Sequence, residues 1–106
     1  MKTREEICVF VRRKAEQTFN FWAVNSGLYN ARKYLAWEHI RAMLDVDGMS
    51  MIAVKHKISC KIKANLAWIN AALKNYKTYK EQEEEIACVN AETAEFRGFM
   101  ELLDED

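Results

Sequence analysis

Not one of the 106 residues is proline, and only three are glycine. No other feature restricts the fold as much. Proline removes a backbone donor and clashes with the preceding turn, so its absence leaves nothing to stop long helices. The apolar residues recur at the three- and four-residue spacing that one face of a helix needs. The same composition excludes collagen-like and Pro/Gly-rich disordered chains, and three cysteines are too few for a disulfide-dense scaffold. A chain of this length is expected to form one domain, residues 1–106, with a core of modest size.

The first helix is expected to start after Thr3. Thr3 and Glu6 make a capping box, in which the hydroxyl and the carboxylate each accept from a free backbone N–H. Ile7, Phe10, Val11, Ala15, Thr18 and Trp22 then share one face. Asn25-Ser26-Gly27 should end the helix, with Gly27 as a left-handed cap. A second helix covers about 28–46, with Leu28, Leu35, Ala36, His39, Ile40 and Met43 on a broad face. Asp45-Val46-Asp47-Gly48 closes it with turn chemistry. This is no calcium loop, because the glycine comes too early and His56 stands where the bidentate glutamate belongs.

A third helix should be capped by Ser50 and carry Met51, Ile58, Ile62, Leu66, Ile69, Leu73 and Tyr76 as its stripe. Residues 58–62 also alternate like a strand, but the helical pattern runs longer and decides the assignment. Ile86, Val89, Thr93, Phe96, Met100 and Leu103 mark a fourth helix at heptad spacing. No glycine or proline separates it from the third. Phase does. Ile69 and Phe96 lie 27 residues apart, about seven and a half turns, so a straight helix would point the two stripes in opposite directions. Compact burial requires a reversal near Lys80–Glu85. The expected fold is all-α: a small antiparallel bundle of about four helices.

Charge is lopsided although it sums to zero. Residues 1–80 carry +9 and residues 81–106 carry −9. A reversal at residue 81 gives this a plain cause, with Glu101, Asp104 and Asp106 near Lys61, Lys57 and Lys55. Such exposed pairs set register more than they stabilise. Residues 101–106 read as a flexible acidic C-terminus.

The chain begins without the apolar core of a signal peptide and has no stretch of eighteen apolar residues, so a soluble, cytoplasmic protein is expected. Cys8, Cys60 and Cys88 are then reduced thiols behaving as small buried hydrophobes. The cysteines and histidines lack metal-ligand spacing, and glycine-rich phosphate loops and nucleophile elbows are missing too. No cofactor, metal or catalytic residue is assigned, and an enzyme is not expected. His39 lies in an apolar face and reads as a core or interface histidine; a polar pocket bringing it to a thiol would reopen catalysis. His56, among lysines, should be exposed.

Two binding functions remain. Trp37, Trp68 and Tyr79 lie off the core stripes, and Phe21 and Phe99 flank theirs. Surplus aromatic area on a small helical protein suits a protein-binding or self-association surface. The preferred reading is a non-enzymatic interaction module: a small regulator, inhibitor or adaptor binding a larger protein through helix faces, alone or as a homodimer. Trp37, Trp68 and Tyr79 would be its anchors, and Lys55, Lys57, Lys61 and Lys63 would steer an acidic partner. The alternative is a nucleic-acid-binding protein using the same lysines on phosphates. Base readout favours Arg, Asn and Gln over Lys, which counts against it.

Overall fold

The computed structural model describes residues 2–75 and 82–104. It is an all-α bundle: α1 (Arg4–Val24), α2 (Leu28–Asp45), α3 (Met51–Lys74) and α4 (Glu83–Asp104). Thr3 caps α1 with the expected capping box, its hydroxyl accepting from the Glu6 N–H at 3.2 Å. Ser50 caps α3, accepting from the Ala53 N–H. The segment 58–62 is helical. Gly27 plays a different part from the one expected. Asn25 closes α1, and Gly27, at φ 140°, is the N-cap of α2. That backbone angle is open only to glycine at low cost.

The helices alternate in direction, but their neighbours in space do not follow chain order. α1 packs on α2, α2 on α4, and α3 on α4, whereas α2 and α3 barely meet. α4 is thus the shared floor. It runs antiparallel to α3, with Lys55 opposite Asp104 at 3.4 Å and Asn65 opposite Glu92 and Thr93. It runs parallel to α2, with Arg32 beside Glu85 and Glu92 and Trp37 beside Phe99. No helix runs on from α3 into α4, because α3 ends at Lys74 and α4 begins at Glu83.

The core draws on all four helices. Val11, Ile40, Val54, Ile58, Phe96 and Phe99 are fully buried. Trp37 is central, with Phe10 and Phe99 set edge-on to its ring at 6.0 and 6.4 Å. A second cluster, Ile69, Ala72, Ile86 and Val89, continues along the α3–α4 hairpin. α4 buries the broadest face because it serves two neighbours: Cys88, Ala91, Phe99 and Leu102 are buried beside its expected stripe.

Three expectations are corrected. The buried face of α2 is turned toward Trp37 and Leu44, leaving Leu28, Leu35 and His39 exposed, because α2 must meet α1 on one side and α4 on the other. Residues 101–104 are not a flexible tail; they are the last turn of α4, held by buried Leu102. The acidic helix also does not neutralise α3 as a whole. Its carboxylates go chiefly to α2, Glu85 and Glu92 to Arg32 and Glu95 to Lys33. The one cationic α3 partner among the described residues is Lys55, which takes Asp104 where Lys57 was expected.

One ion-pair network fastens α1 to the end of α2. Arg12 donates through Nε and Nη2 to both Asp45 oxygens at 2.9 Å, and Arg41 bridges Asp45 and Glu38. The Arg12 hydrogen bond holds the Asp45 carboxyl below its ordinary range, and Arg41 does the same for Glu38.

Two outcomes follow from this packing. Trp37→Ala should cost about 3–5 kcal/mol in urea unfolding, the range for emptying a large aromatic site. Trp37→Phe should cost clearly less, because the buried indole N–H has no hydrogen-bond partner among the described residues. The depressed carboxyls of Asp45 and Glu38 contribute stability that is complete above their unfolded values near pH 4 and lost as pH falls through their lower folded values. Asp45→Asn should therefore flatten the acid limb of the stability–pH curve and leave its neutral-to-alkaline shape unchanged.

Candidate functional site

Two regions of the surface stand out, one aromatic and one basic. The first is the end of the α1–α2 hairpin. Residues 17–31 contain no charged residue, and much of what they carry is apolar and open to solvent. Phe19, Phe21, Val24, Leu28 and Tyr29 are all exposed, Phe21 at 57% and Leu28 at 63%. Trp22 stacks on Tyr34 with rings 5° from parallel, and Phe19 meets both edge-on at 5.9 and 5.3 Å. This three-ring cluster ties α1 to α2 beyond the reach of the main core. Lys33 lies over the ring of Tyr29 at 5.4 Å and sets a basic edge beside it.

Sequence reasoning noticed only Phe21 here. Trp22 fell on the expected α1 core face and Leu28 on that of α2. The uncharged run was the available signal, since a helix end meant for water carries charge.

The sequence-predicted anchors are distributed differently. Trp37 is 2% exposed and belongs to the core, so it cannot anchor a partner. Its position off the expected α2 stripe reflected the wrong helix face, not an open surface. Phe99 is likewise fully buried. Trp68 is exposed at 37%, on the second half of α3. Tyr79 lies outside the described residues, as do Lys80 and Glu81 at the start of the expected reversal.

The second region is the cleft left where α2 and α3 fail to meet. On the α3 side it is a hollow of about 390 Å³ lined by His39, Lys57, Cys60, Lys61 and Ala64. On the α2 side it adjoins a hollow of about 450 Å³ lined by Arg32, Leu35, Glu38, His39, Ala42, Lys61 and Glu92. Lys57, Lys61 and Lys63 are exposed, and none pairs with a described carboxylate, while Lys55 does. His39 is no core histidine. It stands in the cleft, and partial burial followed by the charges of Lys61 and Lys57 pushes its pKa below the ordinary value.

Cys8 and Cys88 are buried as expected, but Cys60 is exposed in the cleft. The Sγ of Cys60 is 3.7 Å from the Nε2 of His56, one turn back on α3. Cys60 and His39 thus line the same hollow with Lys57 and Lys61, but the imidazole in contact with the thiol is that of His56. A larger hollow, about 590 Å³, follows the start of α1 but is lined by residues 2–13 alone and lacks a second wall. Among the described residues no group of three or more His, Cys, Asp or Glu could hold a metal ion. None of the described helices is long and apolar enough to cross a membrane.

The contrast among the thiols is directly measurable. In the native protein iodoacetamide should alkylate Cys60 alone, with Cys8 and Cys88 reacting only after unfolding. Burial also pushes the Cys88 thiol pKa up, which lowers its thiolate fraction further. Peptide mapping by mass spectrometry reads the order.

Compared with protein-family models, with curated proteins and with solved structures, the chain matches none.

Proposed function

We propose that the protein is a non-enzymatic interaction module, a small regulator, inhibitor or adaptor that docks on a larger protein through helix faces. The observation that supports this most is the open aromatic end of the α1–α2 hairpin. Exposed aromatic side chains contribute strongly when an interface buries them, and contiguous apolar surface is unusual on a monomer without a binding role. In this reading Phe21, Leu28 and the Phe19–Trp22–Tyr34 cluster are the anchors, with Trp68 a further contact on α3. Lys57, Lys61 and Lys63 steer an acidic partner by raising its association rate. A cytoplasmic location and a homodimeric form belong to the same proposal.

A second reading has one observation in its favour. Three of the four clustered lysines form no ion pair with a described carboxylate, so the internal pairing that would have explained them covers only Lys55. Those lysines are free to neutralise phosphates of a nucleic acid.

The two readings separate by mutation. Phe21→Ser and Trp68→Ala should each weaken a protein complex, or a dimer seen by light scattering, by about tenfold or more, a loss typical of an interface hot spot. Combined replacement of Lys57, Lys61 and Lys63 by Ala should slow association and reduce its salt dependence without abolishing the complex. If instead the aromatic variants bind every partner normally and the lysine variant loses all binding to DNA or RNA, the nucleic-acid reading replaces the first.

A further inference from the structure

The cleft between α2 and α3 carries a chemistry that docking through the aromatic end leaves unused. On its α3 side Lys57, Lys61 and His39 line a hollow that, among the described residues, no carboxylate borders. On its α2 side stand two carboxylates, Glu38 held by Arg41 and Glu92 held by Arg32 and Asn65. A carboxylate offers about four acceptor positions, so each keeps capacity for another donor. Leu35, Ala42 and Ala64 supply apolar wall between the two ends. The hollows share His39 and Lys61 and form one trough, each within the volume range of small-molecule sites.

We propose that this trough binds a phosphomonoester of the nucleoside-monophosphate class, its phosphate held by Lys57, Lys61 and His39 and its hydroxyl or amino groups donating to Glu38 and Glu92. The α2 side mixes Arg32, Lys61 and His39 with two arginine-paired carboxylates, an arrangement that suits a small ligand better than a polymer. One phosphate fits the α3 side, but a phosphate chain continued across the trough would meet the two carboxylates. The groups facing His39 are Lys57 and Lys61 from α3, Glu92 from α4 and Asp47 beyond the end of α2, with Arg32 and Glu38 on its own helix. In the empty site partial burial, then the charges of Lys61 and Lys57, lower its pKa. An anion set among them reverses that balance, so binding raises the His39 pKa and takes up a proton.

Adenosine monophosphate, inorganic phosphate and a twelve-nucleotide single strand are the probes, each titrated at low salt by calorimetry. Adenosine monophosphate should bind more tightly than phosphate, and Lys57→Ala and Lys61→Ala should each weaken it about tenfold, as expected for loss of a charged hydrogen bond. Both lysines are exposed, so circular dichroism should show unchanged folding. Glu38→Gln should weaken adenosine monophosphate and leave phosphate unchanged or tighter. The His39 ring resonance should titrate at higher pH in the saturated protein, and saturation should slow alkylation of Cys60 severalfold. Absence of binding at millimolar nucleotide, with Cys60 alkylation unchanged, overturns the proposal. So does equal affinity for phosphate and nucleotide, or a single strand that binds far more tightly and ignores Glu38→Gln. None of these results depends on Phe21 or Trp68, so the interaction reading stands or falls separately.

Discussion

The architecture rests on α4 being packed from two sides. A helix of 22 residues, about 33 Å long, must find an apolar partner for each apolar stripe it carries. α4 has a face wide enough for two, as does α2, which also meets α1, whereas α3 packs chiefly on α4. The chain reversal between α3 and α4 meets this demand. It lets Phe96 and Phe99 enter the core around Trp37, while Ile86 and Val89 close on Ile69 and Ala72. Because both neighbours sit on the same floor, they have no need of each other, and a cleft remains between them.

A polar junction fixes how the three helices register. Glu92 on α4 accepts from Arg32 of α2 and Asn65 of α3, each at 3.3 Å. The Asn65 amide also donates to the Thr93 hydroxyl at 3.2 Å, and that hydroxyl donates onward to the Val89 carbonyl at 2.9 Å. Thr93 is a buried polar side chain whose hydroxyl is used as both donor and acceptor. Sliding any of the three helices by one residue would strand part of this set. Two members of the junction, Arg32 and Glu92, also line the acidic end of the cleft, so register and cleft share residues.

Much of the fold was legible because it depends on local rules. Thr3 and Ser50 announced two helix starts, and the half-turn mismatch between Ile69 and Phe96 required a reversal. What the sequence hid was the pairing of helices that are distant in the chain. The parallel packing of α2 on α4 turned α2 toward Trp37 and Leu44, and that rotation exposed Leu35 and His39. It also drew Glu85, Glu92 and Glu95 to Arg32 and Lys33, leaving Lys57, Lys61 and Lys63 without the partners expected for them. The dyad of the α3–α4 hairpin is shifted by two residues from its expected place, which is why Lys55 and not Lys57 meets Asp104. The candidate surfaces were hidden for the same reason. Trp37 and His39 exchanged environments when the buried face turned, one entering the core and the other leaving it. Trp37 lies in the core and Trp68 is exposed on α3, so these two expected anchors share no surface patch.

The three indoles occupy three different environments. Trp37 is sealed between two phenyl rings, Trp22 is half-covered and stacked on a phenol, and Trp68 reaches water on α3. Their fluorescence should accordingly differ in colour and in access to dissolved quenchers, giving the native protein a built-in optical readout. Light from the sealed ring reports the integrity of the bundle, and light from the outermost reports what approaches its side.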